Sequence, residues 1–177
     1  DYGAGLTHSL LSYIYWTSAD YEQGFYHLME GADYQKKSGN REGEAWDMFN
    51  FGTFYSELQY YEEAAPYFTD AIALFEELGE YFGLASSMLG LAVIEQAHER
   101  YAAAKTRCER ALELASTHDY ADTRAWGYLI LSEICQSTGD YTQALRYAQD
   151  SLQTYRATGD KPGEVNAELQ LGLIYCD

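Results

Sequence analysis

The sequence predicts an all-α fold, a solenoid of helix-turn-helix repeats, and three observations predict it. Tyr21, Tyr61, Tyr101 and Tyr141 stand 40 residues apart. Each copy holds two stretches with the 3.6-residue apolar rhythm of a helix. Small residues recur at fixed places between them, where two helices must approach.

The columns run in phase over the whole chain. Three residues after each tyrosine comes Gly24, Ala64, Ala104 or Ala144, and seven further on Gly31, Ala71, Ala111 or Ser151. Upstream lie Leu11, Phe51, Leu91, Leu131 and Leu171, each followed by Ser12, Gly52, Ala92, Ser132 or Gly172. Ile14, Phe54, Ile94, Ile134 and Ile174 complete the set. The expected repeats are about 1–39, 40–79, 80–119 and 120–159, with a fifth begun at 160–177, in one elongated domain. Because the chain starts without Met and stops within a repeat, it is read as a piece of a longer protein.

In the second repeat the first helix, A, is expected from Ala45 to about Leu58, with Met48, Phe51, Gly52 and Tyr55 on its buried stripe. The second, B, starts near Tyr61 and turns Ala64, Phe68, Ala71, Ile72 and Phe75 inward. Glu62 and Glu63 in its first turn suit the positive end of the helix dipole, and Gly79 supplies a left-handed stop. Pro66 is placed near the end of the first turn, where few backbone amides have a partner. Asp20 and Asp140 cap helix B in their repeats, and Gly39, Gly79 and Gly159 separate one repeat from the next. Gly52 facing Ala64 lets the helices of a pair approach without a side-chain collision. Stability is then a sum over repeats and their interfaces.

Composition narrows the function. Twenty-eight acids against 11 bases give a net charge of −17, which repels phosphate backbones and anionic membranes, so neither nucleic acid nor membrane is expected as a partner. No apolar run approaches the ~18 residues of a membrane span. Cys108, Cys135 and Cys176 are scattered on helix columns and are expected as small buried thiols in reducing, cytoplasmic surroundings.

These columns resemble the tetratricopeptide repeat: a small residue after Leu in helix A, then Tyr-x-x-Ala and a further small residue in helix B. The resemblance covers the whole chain. Its 40-residue period is that of the long variety found in bacterial peptide-sensing regulators and in LGN/Pins-type scaffolds. Glu95 and Cys135 depart from the helix A tyrosine. The resemblance implies a right-handed α-α superhelix with helix A lining a concave face, and a scaffold role holding another protein's peptide or helix.

On that face the helix A offsets place Trp46, Asn50, Thr53 and Glu57 in the second repeat, flanked by Phe49 and Trp16. The same offsets give Tyr13 in the first, Val93 in the third, and Trp126, Ile130 and Glu133 in the fourth. Asn50 resembles the family's peptide-gripping asparagines, since an amide both donates to and accepts from an extended backbone. The competing reading of the tryptophans is packing against neighbouring helices. No Lys or Arg falls in 5–17, 45–57, 85–97, 125–137 or 165–177. This disfavours capture of a terminal carboxylate and favours an apolar or mildly basic segment, extended or an amphipathic helix.

No enzyme, cofactor or metal is expected. His8, His27, His98 and His118 share no ligand spacing with the cysteines, and Glu95, His98 and Glu99 read as a solvated helix end. Phosphate-loop, nucleophile-elbow and dinucleotide signatures are missing from the sequence. Three functions remain: a signalling scaffold binding a partner segment, a peptide sensor controlling an attached effector domain, and self-association into a homodimer through Leu169, Leu173 and Ile174 of the fifth helix A.

Overall fold

Helix A and helix B alternate along the chain in the computed structural model, which describes residues 2–176. Among the described residues the order is α1 (Tyr2–Thr17), α2 (Tyr21–Ser38), α3 (Arg41–Glu57), α4 (Tyr61–Leu78), α5 (Tyr81–Ala97), α6 (Tyr101–Thr117), α7 (Ala121–Ser137), α8 (Tyr141–Thr158) and α9 (Lys161–Cys176). No strand occurs among them. The architecture is the all-α helical-repeat solenoid that the 40-residue columns predict. Backbone contacts gather into two compact units, Asp1–Gly83 and Leu84–Asp177, as expected of an array without one central core.

The helix ends follow the capping signals. The amides of Gln23 and Gln143 donate to the side chains of Asp20 and Asp140 at 3.2 and 3.1 Å. Gly39, Gly79 and Gly159 adopt left-handed φ values of 67°, 68° and 79°, a conformation that costs glycine nothing sterically. The A helices begin a turn earlier than expected, because Asn40 and Asp160 cap them by accepting from the Gly43 and Gly163 amides. Arg41, Arg124 and Lys161 therefore lie inside A helices, and the stretch without basic residues starts only at their second turn.

Within each repeat the small columns do what close approach requires. A methyl group added at Gly24 would lie 3.4 Å from the Ser12 carbonyl oxygen and the Trp16 nitrogen. Ser132 donates its hydroxyl to the Ala144 carbonyl at 2.8 Å. Gly52 makes room for the buried Phe68 ring, 2.9 Å from where its side chain would begin.

The buried stripe of α3 departs from expectation. Ala45, Asp47, Gly52 and Phe54 are buried, while Met48, Phe51 and Tyr55 are half-buried. The reason is that α3 packs on α1 and α2 as well as on α4, so two arcs of its circumference are covered. Cys108 and Cys135 are buried as expected, and burial pushes the Cys108 thiol up to about 12. Cys176 is exposed. None of the helices among the described residues is long and apolar enough to cross a membrane.

Pro66 is the sixth residue of α4, in the second turn rather than the first. Its ring nitrogen has no hydrogen to give the Glu62 carbonyl, so the helix forgoes one bond, yet it runs unbroken to Leu78. Replacing Pro66 with Ala is expected to raise stability by about 1–3 kcal/mol, since an interior proline costs up to ~3 kcal/mol. Urea unfolding checks this, and a parent-like midpoint would show that the missing bond costs nothing at this place.

Candidate functional site

In the first unit α1 and α3 lie side by side, and the groove between them contains two adjoining cavities. One has a volume of about 210 Å³ and brings together six residues read from the sequence: Tyr13, Trp16, Phe49, Asn50, Thr53 and Glu57. The other, about 410 Å³, is lined by Leu6, Leu10, Gln35, Glu42, Trp46 and Asn50 among others. Ser9 and Asn50 line both. The amide of Asn50 thus stands midway along the groove.

The walls are aromatic and held in place. Trp16 packs on Phe54 and Tyr21 with ring centroids 4.6 and 5.0 Å apart, and its indole N–H donates to the Glu57 carboxylate, whose pKa burial raises. Trp46 contacts Phe75 and Phe49 edge to face at 5.0 and 5.6 Å, and also Phe82. Both tryptophans therefore pack against neighbours and still present a face to the groove. The only charged residues lining either cavity are Glu42 and Glu57.

Behind Ser9 lies a group that sequence reasoning missed. Asp47 is 3% exposed. Its Oδ1 accepts from the Ser9 hydroxyl at 3.5 Å, and its Oδ2 is buried with no hydrogen-bond partner. Desolvation, reinforced by Glu44, pushes its pKa to about 7 against the Ser9 hydrogen bond. The signal was in the columns: Thr7, Ser87, Gly127 and Ala167 occupy the same place in other repeats, and a small-residue column marks a buried seam.

The second unit treats the remaining residues differently. Ile130, expected in the groove, is 2% exposed and belongs to the core. Helix α7 is packed by α6, α8 and α9, which leaves little of its surface free. Val93 and Trp126 are half-buried and line none of the cavities described here. Glu133 does line one, of about 210 Å³, between α7 and α9, together with Leu129, Asn166, Leu169, Gln170 and Leu173. Its carboxylate accepts from Gln96 at 3.0 Å, and burial raises its pKa. Gln170 stands on the Asn50 column, 120 residues on, so an amide recurs at this place; it donates to Gln136 at 2.9 Å. Along α9, Val165, Leu169 and Leu173 are exposed, whereas Ile174 is buried.

At the end of α5, His98 and Glu99 are exposed as a solvated helix end would be, but Glu95 is not. Glu95 is buried and takes a two-pronged bond from Arg107, at 3.0 and 2.7 Å. No three His, Cys, Asp or Glu residues among those described come together as metal ligands. Two histidines do meet, His8 and His27, at 3.0 Å between ring nitrogens, although nothing in their sequence spacing was read as a pair.

Models of the tetratricopeptide repeat match residues 48–77 and 83–157, together more than half of the chain. No curated protein matches. Among solved structures, a Rap protein complexed with competence and sporulation factor is similar at 17% identity and a TM-score of 0.89, over 98% of this chain and 48% of that one. Aspartyl phosphate phosphatase F from Bacillus subtilis is 14% identical with a TM-score of 0.84, over 98% and 45%. MamA is 17% identical with a TM-score of 0.59, over 97% and 81%. The chain spans about half the length of the first two, and at these identities the likeness is one of fold. With the repeat models on the same columns that the tyrosines mark, the chain belongs to the tetratricopeptide-repeat family.

Proposed function

We propose that the chain is a protein-interaction scaffold whose first unit takes a partner segment, a peptide or an amphipathic helix, in the groove between α1 and α3. The observation that carries this reading is the place of Asn50, which lines both cavities between aromatic walls. Its amide can donate to one backbone group and accept from another while side chains enter the cavities on either side. With Glu42 and Glu57 as the only charges lining these cavities, the segment is apolar or mildly basic. Glu133 and Asn166 mark a lesser groove of the same kind in the second unit. Binding, rather than catalysis, is the role of these side chains.

A second reading, that the groove belongs to a sensor of short peptides controlling an attached effector domain, draws on the Rap protein complexed with competence and sporulation factor. Either reading uses the same groove.

The test uses a partner captured from native lysate, its binding segment mapped and synthesised, and titrated into the chain. Asn50→Ala is expected to raise Kd about 10-fold, the loss of one or two hydrogen bonds, while Asn166→Ala leaves it unchanged. Trp46→Ala is a poorer probe, since the ring also packs on Phe75. Equal affinity for the parent and a helical Asn50→Ala variant would end the proposal.

A further inference from the structure

Outside the groove, on the other side of α1, the two histidines of the first repeat face each other across the α1–α2 seam. Their Nδ1 atoms are 3.0 Å apart, and the ring centroids 5.0 Å apart with planes at 52°. Tyr15 stacks on His27 at 5.3 Å and 9°, Tyr34 lies against His8 at 5.6 Å, and Tyr26 meets His27 edge-on at 5.2 Å. Three tyrosines therefore hold the two imidazoles in position.

The repeat does not need histidine here. On the His8 column stand Met48, Met88 and Tyr128, and on the His27 column Tyr67, Arg107 and Tyr147. In the fourth repeat Tyr128 and Tyr147 fill the same seam by stacking, 6.2 Å apart. Methionine with tyrosine or arginine, or two tyrosines, occupy these places in the other repeats, so the imidazole pair brings something that the fold alone does not ask for.

We propose that His8 and His27 form a binding site for a divalent transition-metal ion of the zinc or copper class, which bridges α1 and α2 through the two Nδ1 atoms. A metal bonded to two imidazole nitrogens at ~2.0–2.1 Å in adjacent positions sets those nitrogens about 3.0–3.4 Å apart. The seam already has that spacing, so the ion replaces the shared hydrogen with little movement of either ring. For both Nδ1 atoms to bind, both rings carry their hydrogen on Nε2. The ring that donates in the metal-free pair passes its Nδ1 hydrogen to solvent and takes one at Nε2, with no net change in protons. With two protein ligands the remaining positions belong to water, which makes the site open and exchangeable and its preference that of imidazole, copper above zinc.

The test adds zinc chloride alone to the whole chain. Long-range ¹H–¹⁵N spectra of the histidine rings are expected to show the Nδ1 signals of His8 and His27 moving together and saturating at one equivalent, with His98 and His118 unmoved. In zinc well above Kd, Tm is expected to rise by at least about 3 °C. The variant His8→Met/His27→Tyr reproduces the Met48/Tyr67 pair of the second repeat and so keeps its fold; it is expected to lose the Tm rise. Spectra in which no ring moves, or in which His98 and His118 move equally, overturn the proposal without any variant, and so does a Tm rise that survives in the Met/Tyr variant.

Discussion

Gly83→Ala is expected to destabilise the first unit by about 1–3 kcal/mol, although glycine to alanine inside a helix ordinarily gains up to ~1 kcal/mol. The methyl group would fall well inside van der Waals distance of the Phe75 ring, which is fully buried. The same arrangement recurs where Gln35 lies over Gly43 and where Tyr155 lies over Gly163. In the third repeat Ala115 stands in the last turn of α6 instead, and Thr123 in the first turn of α7, both buried. The columns thus pair a large residue with glycine and a small one with threonine. Phe75→Ala alone should cost about 3–5 kcal/mol. Adding Gly83→Thr to it copies the Ala115/Thr123 pair and should recover about 1–3 kcal/mol as coupling. Urea unfolding of the two single variants and the double supplies the cycle. Additive losses would mean that the two residues do not share the space.

The second large effect is a dependence on pH from Asp47. Its folded pKa, about 7, lies above the ordinary 3.8 because burial disfavours the carboxylate, so between these values the folded state holds a proton that the unfolded state releases. Stability is therefore expected to fall as pH rises from about 4 to above 7, by about 4 kcal/mol if the whole shift is expressed. The raised pKa values of Glu57 and Glu133 add slope of the same sign. Asp47→Asn keeps the shape and removes the charge; it should flatten the curve and make the variant the more stable of the two at pH 8. Unfolding free energies at pH 5 and pH 8 for both proteins settle the matter. A parent equally stable at the two pH values would show that water reaches Oδ2.

The repeat and the caps of its B helices could be read from the sequence because each is written in local chemistry. A tyrosine every 40 residues, a glycine after a helix and an aspartate before one act over a few residues whatever the tertiary setting. In the second repeat Asn50, Thr53 and Glu57, which the helical period puts on one face, line one cavity together. The same offsets failed at Ile130, because the number of neighbours around an A helix differs along the array and period alone does not count them. Asp47 escaped notice because a lone carboxylate on a helix ordinarily faces solvent; only its small-residue column betrays the seam. The meeting of His8 with His27 depends on how α1 lies on α2, which no single-helix pattern contains.

The glycine under each large side chain also bears on how such an array can grow or shrink. Phe75 closes one repeat while Gly83 opens the next, so each fit is shared between two copies rather than owned by one. Unequal recombination that removed residues 40–79 would set Gln35 over Gly83 and keep the large-over-glycine match. Loss of 80–119 would bring Phe75 against Thr123, and loss of 120–159 would leave Ala115 over Gly163 with space unfilled. Copies that look interchangeable in their tyrosines and alanines are therefore ordered by their junctions, and deletions of different repeats are not equivalent.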